Sequence, residues 1–406
     1  MGATMSATDN GSTRLRVAVY DLYWATLGGG EQVDGSIAQT LARDHEVTLL
    51  GPTEPDVDRT MSRLGVDLSR CRYDTVFDDL EASEASADYD LFVNGTYLSK
   101  AINRARHGWY YVHFPGEVPT RGDRVRHRLG VAGVKALSLA PRLPQRLREV
   151  QAGFDRRVQR TEFISSYGRY LANSAFTASW VERLWGVGAD VVYPPVRPSV
   201  RPGDKQPLIL VLGRFFDPSK GHSKKQLELL ETYLEARDAG ELDGWRLAIV
   251  GGCDAANREY GLAVKRRALS AEARRGGVSV HLNAPGAVVE QLLGEASLYW
   301  HAAGLGEDAE SHPERFEHFG ISVVEAMAAA AVPLVFGAAG PAEIVRPGID
   351  GEHWSQLSQL RSMSAALARD GDRRAELAGA AALRASEFSA EVFATRLRTL
   401  LADDCA

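Results

Sequence analysis

The sequence predicts an α/β protein of two doubly wound, parallel-sheet domains of the Rossmann type. Three observations lead there. Short apolar runs alternate with longer amphipathic stretches, the βαβα pattern of parallel sheets. The alternation stops at residues 194–207 (PPVRPSVRPGDKQP), where five prolines forbid a central strand or a helix interior, and then restarts. The length, 406 residues, suits two domains of roughly 100–200 residues each.

Before the break, strand-like runs fall at 15–21, 46–50, 90–94, 109–113, 170–173 and 190–193. Helical patterns stand between them, as at 31–43 and 175–185. After the break, strands are expected at 208–212, 245–250, 278–282, 298–301 and 332–336. Helices are expected at 224–236, 257–275, 287–295, 321–330 and 340–345, and 356–402 is helical nearly throughout. The expected division is a disordered tail at 1–13, a first domain at 14–195, a linker at 196–207 and a second domain at 208–387. A last helix, at about 388–406, is expected to pack back on the first domain. Ligands of open α/β sheets bind in the crevice beyond the carboxyl ends of the strands.

Composition narrows the function. Hydrophobic residues make up 45% and charged residues 25%, as in ordinary globular proteins. The net charge of -6 speaks against a nucleic-acid binder. Cys71, Cys253 and Cys405 are odd in number and far apart, which fits neither a disulfide framework nor a metal motif. A reducing cytoplasm is therefore the expected location. The first thirteen residues lack the apolar core of a signal peptide, and no run of 18 apolar residues occurs.

Several residues carry candidate chemistry. Strand 15–21 leads into Leu27-Gly28-Gly29-Gly30-Glu31 and a helix. Such glycines either let backbone N–H groups approach a phosphate or serve a tight turn with positive φ. Arg214, just past the strand at 208–212, and Lys220 in the next loop suit a diphosphate, or are two solvated cations. Glu317 and Glu325 stand eight apart in PERFEHFGISVVEAMAAAAVPLVFGAAGP, where Gly320 marks the helix start. His318, Phe319, Gly320 and Ile321 then surround a helix N-terminus able to face an anion. Acids there could accept from sugar and ribose hydroxyls, or could simply favour the helix dipole. His113 is either a strand-end histidine or a catalytic one. His312 and His318, with Glu307, Asp308 and Glu310, match no metal-ligand spacing. Asp78-Asp79 reads as a solvated acidic surface.

These strings together resemble the retaining GT-B glycosyltransferases of family 4. The elements are GGGE at 28–31, His113-Phe114-Pro115, Asn173-Ser174, Tyr193-Pro194-Pro195, GRFF with Lys220-Gly221, and EHFGISVVEAM. The EHFGI form is most similar to the mannosyltransferases of lipid-linked oligosaccharide synthesis that use GDP-mannose. The resemblance implies an acceptor domain followed by a donor domain, both facing a central cleft. It places Gly29 and Gly30 under the diphosphate, and Arg214 and Lys220 on the diphosphate as it leaves. His113 would lie beside the donor sugar, Glu317 on its hydroxyls and Glu325 on the ribose. The implied reaction moves a hexose from GDP-mannose or a UDP-hexose to a hydroxyl of a glycan, a lipid-linked sugar or a small molecule. No cofactor and no metal are implied.

Two other classes fit parts of this pattern: a sugar-nucleotide epimerase of the same fold, and a nucleotide-sugar-binding protein without turnover. A dinucleotide dehydrogenase is disfavoured by the missing GxGxxG. Residues 119–160 carry eleven Lys or Arg against three acids, a net +8. This segment is either a solvated basic face or a first-domain surface that meets a phosphorylated acceptor or, peripherally, an anionic membrane at its inner face.

Overall fold

In a computed structural model of the chain, residues 14–118, 161–196 and 203–405 are described. The expected tail, the basic segment 119–160 and linker residues 197–202 lie outside the described residues.

The first sheet has seven strands: β1 (Arg16–Tyr20), β2 (Glu46–Gly51), β3 (Arg72–Thr75), β4 (Leu91–Asn94), β5 (His107–Val112), β6 (Arg169–Ala172) and β7 (Asp190–Val191). Their order is β3-β2-β1-β4-β5-β6-β7. Helix α1 (Gly29–Leu41) follows β1, α2 (Val57–Leu64) follows β2, α3 (Asp79–Ala85) follows β3, and α4 (Ala175–Trp185) follows β6. Local sequence sets the helix limits. Asp56 accepts from the Arg59 amide to start α2, and Gly65, at φ 65°, ends it. Ser174 and Gly186 bound α4 in the same way.

The second sheet has six strands: β8 (Gln206–Leu212), β9 (Arg246–Gly251), β10 (Val278–Leu282), β11 (Ala296–His301), β12 (Val332–Phe336) and β13 (Glu352–Trp354). All their pairings are parallel, in the order β10-β9-β8-β11-β12-β13. Helices α5 (Gln226–Asp238), α6 (Arg258–Arg275), α7 (Gly286–Glu295), α8 (Ile321–Ala328) and α9 (Ala339–Ile344) alternate with these strands. Three more, α10 (Leu357–Arg369), α11 (Gly371–Ala385) and α12 (Ala390–Cys405), finish the chain.

Successive side chains on a strand point to opposite faces, so a strand covered on both sides is apolar throughout. In β8, Ile209 and Val211 enter one core with Leu229, Leu230, Trp245 and Trp300. Leu208 and Leu210 enter the other, with Phe319, Val323 and Met327. The strand order reverses between β8 and β11, and the carboxyl ends of strands flanking such a reversal are where open sheets present their ligand groups.

The sequence pattern misses β3 and β13, whose RYDT and EHW offer no apolar run. Contacts also divide the chain elsewhere than at the proline-rich linker. One unit comprises described residues within 1–111, 116–170 and 397–406, and the other comprises 112–115 and those within 171–396.

Within the first unit, the end of α12 is held by a buried charge. Asp404 accepts from the Trp109 indole Nε1 at 2.6 Å and from Arg169 Nε at 3.1 Å. Removing the carboxylate takes its acceptor from the Trp109 indole N–H and an ion-pair partner from Arg169, in a site that is only one-fifth exposed. Asp404→Ala is therefore expected to lower unfolding stability by about 2–3 kcal/mol. Urea denaturation of the full chain measures it, and a loss within experimental error shows the ion pair to be energetically silent.

Candidate functional site

The expected residues divide between the two units: Gly29 and Gly30 belong to the first, and the others to the second. In the first, Gly28 is the N-cap of α1, with φ −99°, and Gly29 opens the helix. The left-handed residue of this turn is Leu27, at φ 53°. The glycines are thus not required for positive φ, which corrects the tight-turn reading. Space is the better reason at Gly28, where a Cβ would come within 2.9 Å of Glu31 Oε2.

Two acids beneath this turn escape sequence reasoning. Asp21 directly follows β1, and Asp34 lies in α1. Both Asp34 oxygens and one Asp21 oxygen are buried without a hydrogen-bond partner. A Cβ on Gly95 would fall 1.9 Å from Asp34 Oδ1, so the backbone there closes over the carboxyl. Burial pushes Asp21 up to about 7 and Asp34 well above the carboxylate range. The Asp78-Asp79 pair is the solvated surface expected at Asp78, which is exposed, but not at Asp79, which is half-buried. Asp78 caps α3, and Asp79 accepts from Ser99 Oγ (2.6 Å), the Lys100 amide (2.7 Å) and Tyr20 Oη (3.1 Å).

In the second unit the site is built at the ends of β8 and β11. The turn after β8 carries Arg214, exposed, with its guanidinium 5.0 Å from the Phe216 ring centre. Lys220 closes a 3-10 turn started by Asp217, and its ammonium donates to the Ala256 carbonyl. Gly221 then takes φ 116°, which favours glycine, and redirects the chain toward His222 and Lys224.

Glu317 sits in the loop before α8. Its Oε2 accepts from the Lys224 ammonium and lies 3.3 Å from Nε2 of His301, the last residue of β11. Lys224 Nζ is also 2.9 Å from His222 Nε2. The lysine brought to Glu317 is therefore Lys224, and not Lys220. The Lys224 and Glu317 side chains are 15% and 17% exposed, which removes most solvent screening from the pair.

The charges follow from this packing. Burial alone would raise Glu317. The Lys224 ammonium and the His301 bond outweigh it and hold the carboxyl well below its ordinary range. The Lys224 charge, with burial, pushes His222 down to about 4. Burial lowers His301, and burial with His222 lowers His318 to about 3. Near neutral pH the Lys224–Glu317 pair is thus one cation and one anion beside three uncharged imidazoles.

Helix α8 starts at Ile321 with Gly320 as its N-cap, at φ 117°. The loop before it is fixed from two sides. The Gly340 amide donates to the Glu317 carbonyl at 3.0 Å. The His318 ring stacks on Phe114, centres 4.0 Å apart and planes 10° apart. His113 precedes that phenylalanine, and its carbonyl accepts from Asn173 Nδ2 at 2.8 Å. Phe319 is buried in the core against Tyr193 and Phe388. Glu325 lies one turn into α8, where burial raises it to about 7. His312 is 3.2 Å from Glu314, and no group of three or more His, Cys, Asp or Glu is placed to hold a metal among the described residues.

The family model described as "Glycosyl transferases group 1" matches residues 194–372, which include Arg214, Lys220, His222, Lys224, His301, Glu317, His318 and Glu325 but not His113, Phe114, Asn173, Tyr193 or Phe388. Residues 194–372 are thus similar to a group 1 glycosyltransferase domain. Curated relatives of this domain and its surroundings are named GDP-Man:Man(3)GlcNAc(2)-PP-Dol alpha-1,2-mannosyltransferase. The mouse protein is 27% identical over 242 residues, covering 55% of this chain and 46% of its own length. The Dictyostelium discoideum protein is 30% identical over 204 residues, 46% of this chain and 37% of its own. The chain thus spans less than half of these relatives. Among solved structures, Anabaena HepE in complex with UDP and glucose has a TM-score of 0.66 at 13% identity, covering 96% of this chain and all of that one. Sucrose-phosphate synthase from Thermosynechococcus elongatus has a TM-score of 0.63 at 15% identity, covering 96% and 99%. These likenesses are of fold: the chain has two Rossmann-like parallel sheets, as GT-B structures do.

The raised Glu325 has a measurable consequence. Its carboxyl keeps a proton in the fold that it has lost in the unfolded chain, so stability falls as pH rises from about 4.5 through about 7. Glu325→Gln escapes that loss. Relative to wild type, it is expected to gain on the order of 1–3 kcal/mol between pH 5 and pH 8. Thermal unfolding of both proteins across that range checks it, and a pH-independent difference excludes a native-state titration of Glu325.

Proposed function

We propose that the protein transfers a hexose from a nucleoside-diphosphate sugar to an acceptor hydroxyl, with retention at the anomeric carbon. GDP-mannose is the favoured donor and a lipid-linked sugar the favoured acceptor, by the relatives' names. The observation that carries the reading is the half-buried, ionised Glu317 placed just before the glycine-capped start of α8, with Glu325 one turn beyond and Arg214 just past the end of β8.

The chemistry requires this kind of site. The bond from the anomeric carbon to the diphosphate oxygen breaks, and the acceptor oxygen takes its place. The acceptor proton leaves with the diphosphate. Negative charge grows on the departing oxygens, so groups that meet it lower the barrier. Arg214 supplies a planar fork, and Lys220, exposed on its turn, supplies a point charge. The free amides at the start of α8 add a positive helix end. Glu317 accepts from the sugar hydroxyls, Glu325 from the ribose, and His113 lies beside the sugar. With these cations in place, turnover needs no divalent metal, and EDTA is expected to leave the rate unchanged.

A donor that binds the folded state alone stabilises it by about 2.7 kcal/mol at a hundred times its Kd. A thermal-shift screen of GDP-mannose, UDP-glucose and ADP-glucose therefore finds the donor. Release of nucleoside diphosphate then measures turnover, and epimerised donor without transfer would replace this reading with the epimerase. Arg214→Ala is expected to lower kcat on the order of 10²–10³-fold, more than it raises donor KM. Arg214→Lys recovers it only in part. Wild-type kinetics in a folded Arg214→Ala protein would remove the diphosphate site from this loop.

The carboxyl of Glu325 adds a pH signature. If the ribose hydroxyls donate to its ionised form, donor affinity rises about tenfold from pH 6 to pH 8 as the group passes its raised midpoint. Glu325→Gln flattens that rise, as isothermal calorimetry with the selected donor would record.

A further inference from the structure

The family motif accounts for Arg214, Lys220, Glu317 and Glu325 but assigns nothing to Lys224. We propose that Lys224, through its largely enclosed ion pair with Glu317, is a positioning residue that fixes this carboxylate for the donor sugar. The inference rests on the glycosyltransferase reading above.

The geometry is specific. The Lys224 stem packs beside Gly213, where a Cβ would come within 2.9 Å of Lys224 Cγ. A glycine between β8 and Arg214 thus leaves room for the lysine to cross the end of the sheet. Its ammonium reaches Glu317 Oε2, and His301 Nε2 approaches the same oxygen from the end of β11. One oxygen is therefore claimed by two protein donors. The other, Oε1, is left out of both contacts, and a sugar hydroxyl would donate there. The neighbouring Lys225 takes a separate course: its ammonium pairs with Glu307 at 2.8 Å, and Arg315 pairs with the same acid.

The groups facing Glu317 decide how it titrates. Lys224 and His222 come from the loop before α5, His301 and Tyr299 from β11, and His318 from the same loop as Glu317. Glu325 on α8 acts with Glu317 on Tyr299, and Arg214 acts on His222. The imidazoles are held in their neutral form, which leaves Lys224 as the full positive charge against Glu317. Burial opposes the carboxylate, so losing the ammonium lets burial prevail and the Glu317 carboxyl takes up a proton at higher pH. A carboxylate that must be ionised to act then fails as pH falls through that raised midpoint.

The test compares wild type, Lys224→Met and the control Lys225→Met by release of nucleoside diphosphate from the selected donor between pH 5 and pH 9. In Lys224→Met the acid limb of kcat is expected to move up by at least about one pH unit, an extra loss of about tenfold at pH 6 relative to pH 8. Lys225→Met is expected to lower thermal stability without moving the limb. A uniform loss at every pH in Lys224→Met, or no loss, overturns the inference while leaving the glycosyltransferase reading intact. Absence of turnover in wild type with every donor overturns both. If Lys224→Met does not fold, Lys224→Met/Glu317→Gln decides. Recovery of a cooperative unfolding transition supports charge compensation of Glu317, and continued failure to fold overturns it.

Discussion

The second unit is organised around one electrostatic constraint: a carboxylate that must stay charged where solvent is scarce. A buried anion is costly unless paired and hydrogen-bonded, and breaking such a pair costs more than forming it gains. The placement of Glu317 therefore dictates its surroundings. Lys224 must cross the end of β8, which calls for Gly213. His301 must end β11 with its Nε2 toward the acid. Both strands flank the reversal of strand order, so the topology delivers the two partners to one place.

Much of this was legible in the sequence, for identifiable reasons. The strands of the second sheet are buried on both faces, so LILVL at 208–212 and VPLVF at 332–336 stand out as apolar runs. Gly320 before an apolar helical pattern announced the start of α8, which fixed Glu317 in the loop and Glu325 on the helix. Side-chain destinations were less legible. Lys220-Gly221 has the spacing of the motif, but Gly221 and the left-handed Lys225 redirect the chain so that Lys224 meets Glu317. No periodicity encodes that redirection. The triple glycine suggested positive φ, yet Leu27 takes it. Asp34 carries no sequence signal of its own, and the close approach of Gly95 shows how it is enclosed.

The three histidines illustrate how context decides chemistry. An isolated imidazole titrates near neutral pH and would be read as a switch or an acid-base group. Here His222 faces a lysine, His301 is fully enclosed, and His318 lies flat against Phe114. Each stays neutral, so each contributes a dipole and a shape while leaving the local charge to Lys224 and Glu317. Under the proposed function, such walls would neither repel a donor's phosphates nor compete with Arg214 for them.

Gly340 gives the site a mechanical property. A Cβ there would lie 2.4 Å from both the Cα and the carbonyl oxygen of Phe319, and its amide bonds to the Glu317 carbonyl. The main chain at the start of α9 is thus pressed directly against the main chain that carries Glu317, His318 and Phe319. The two loops cannot slide past each other as side chains repack. A displacement of α9 would be transmitted rigidly to the acid, and mutational drift has no small step by which to loosen the joint.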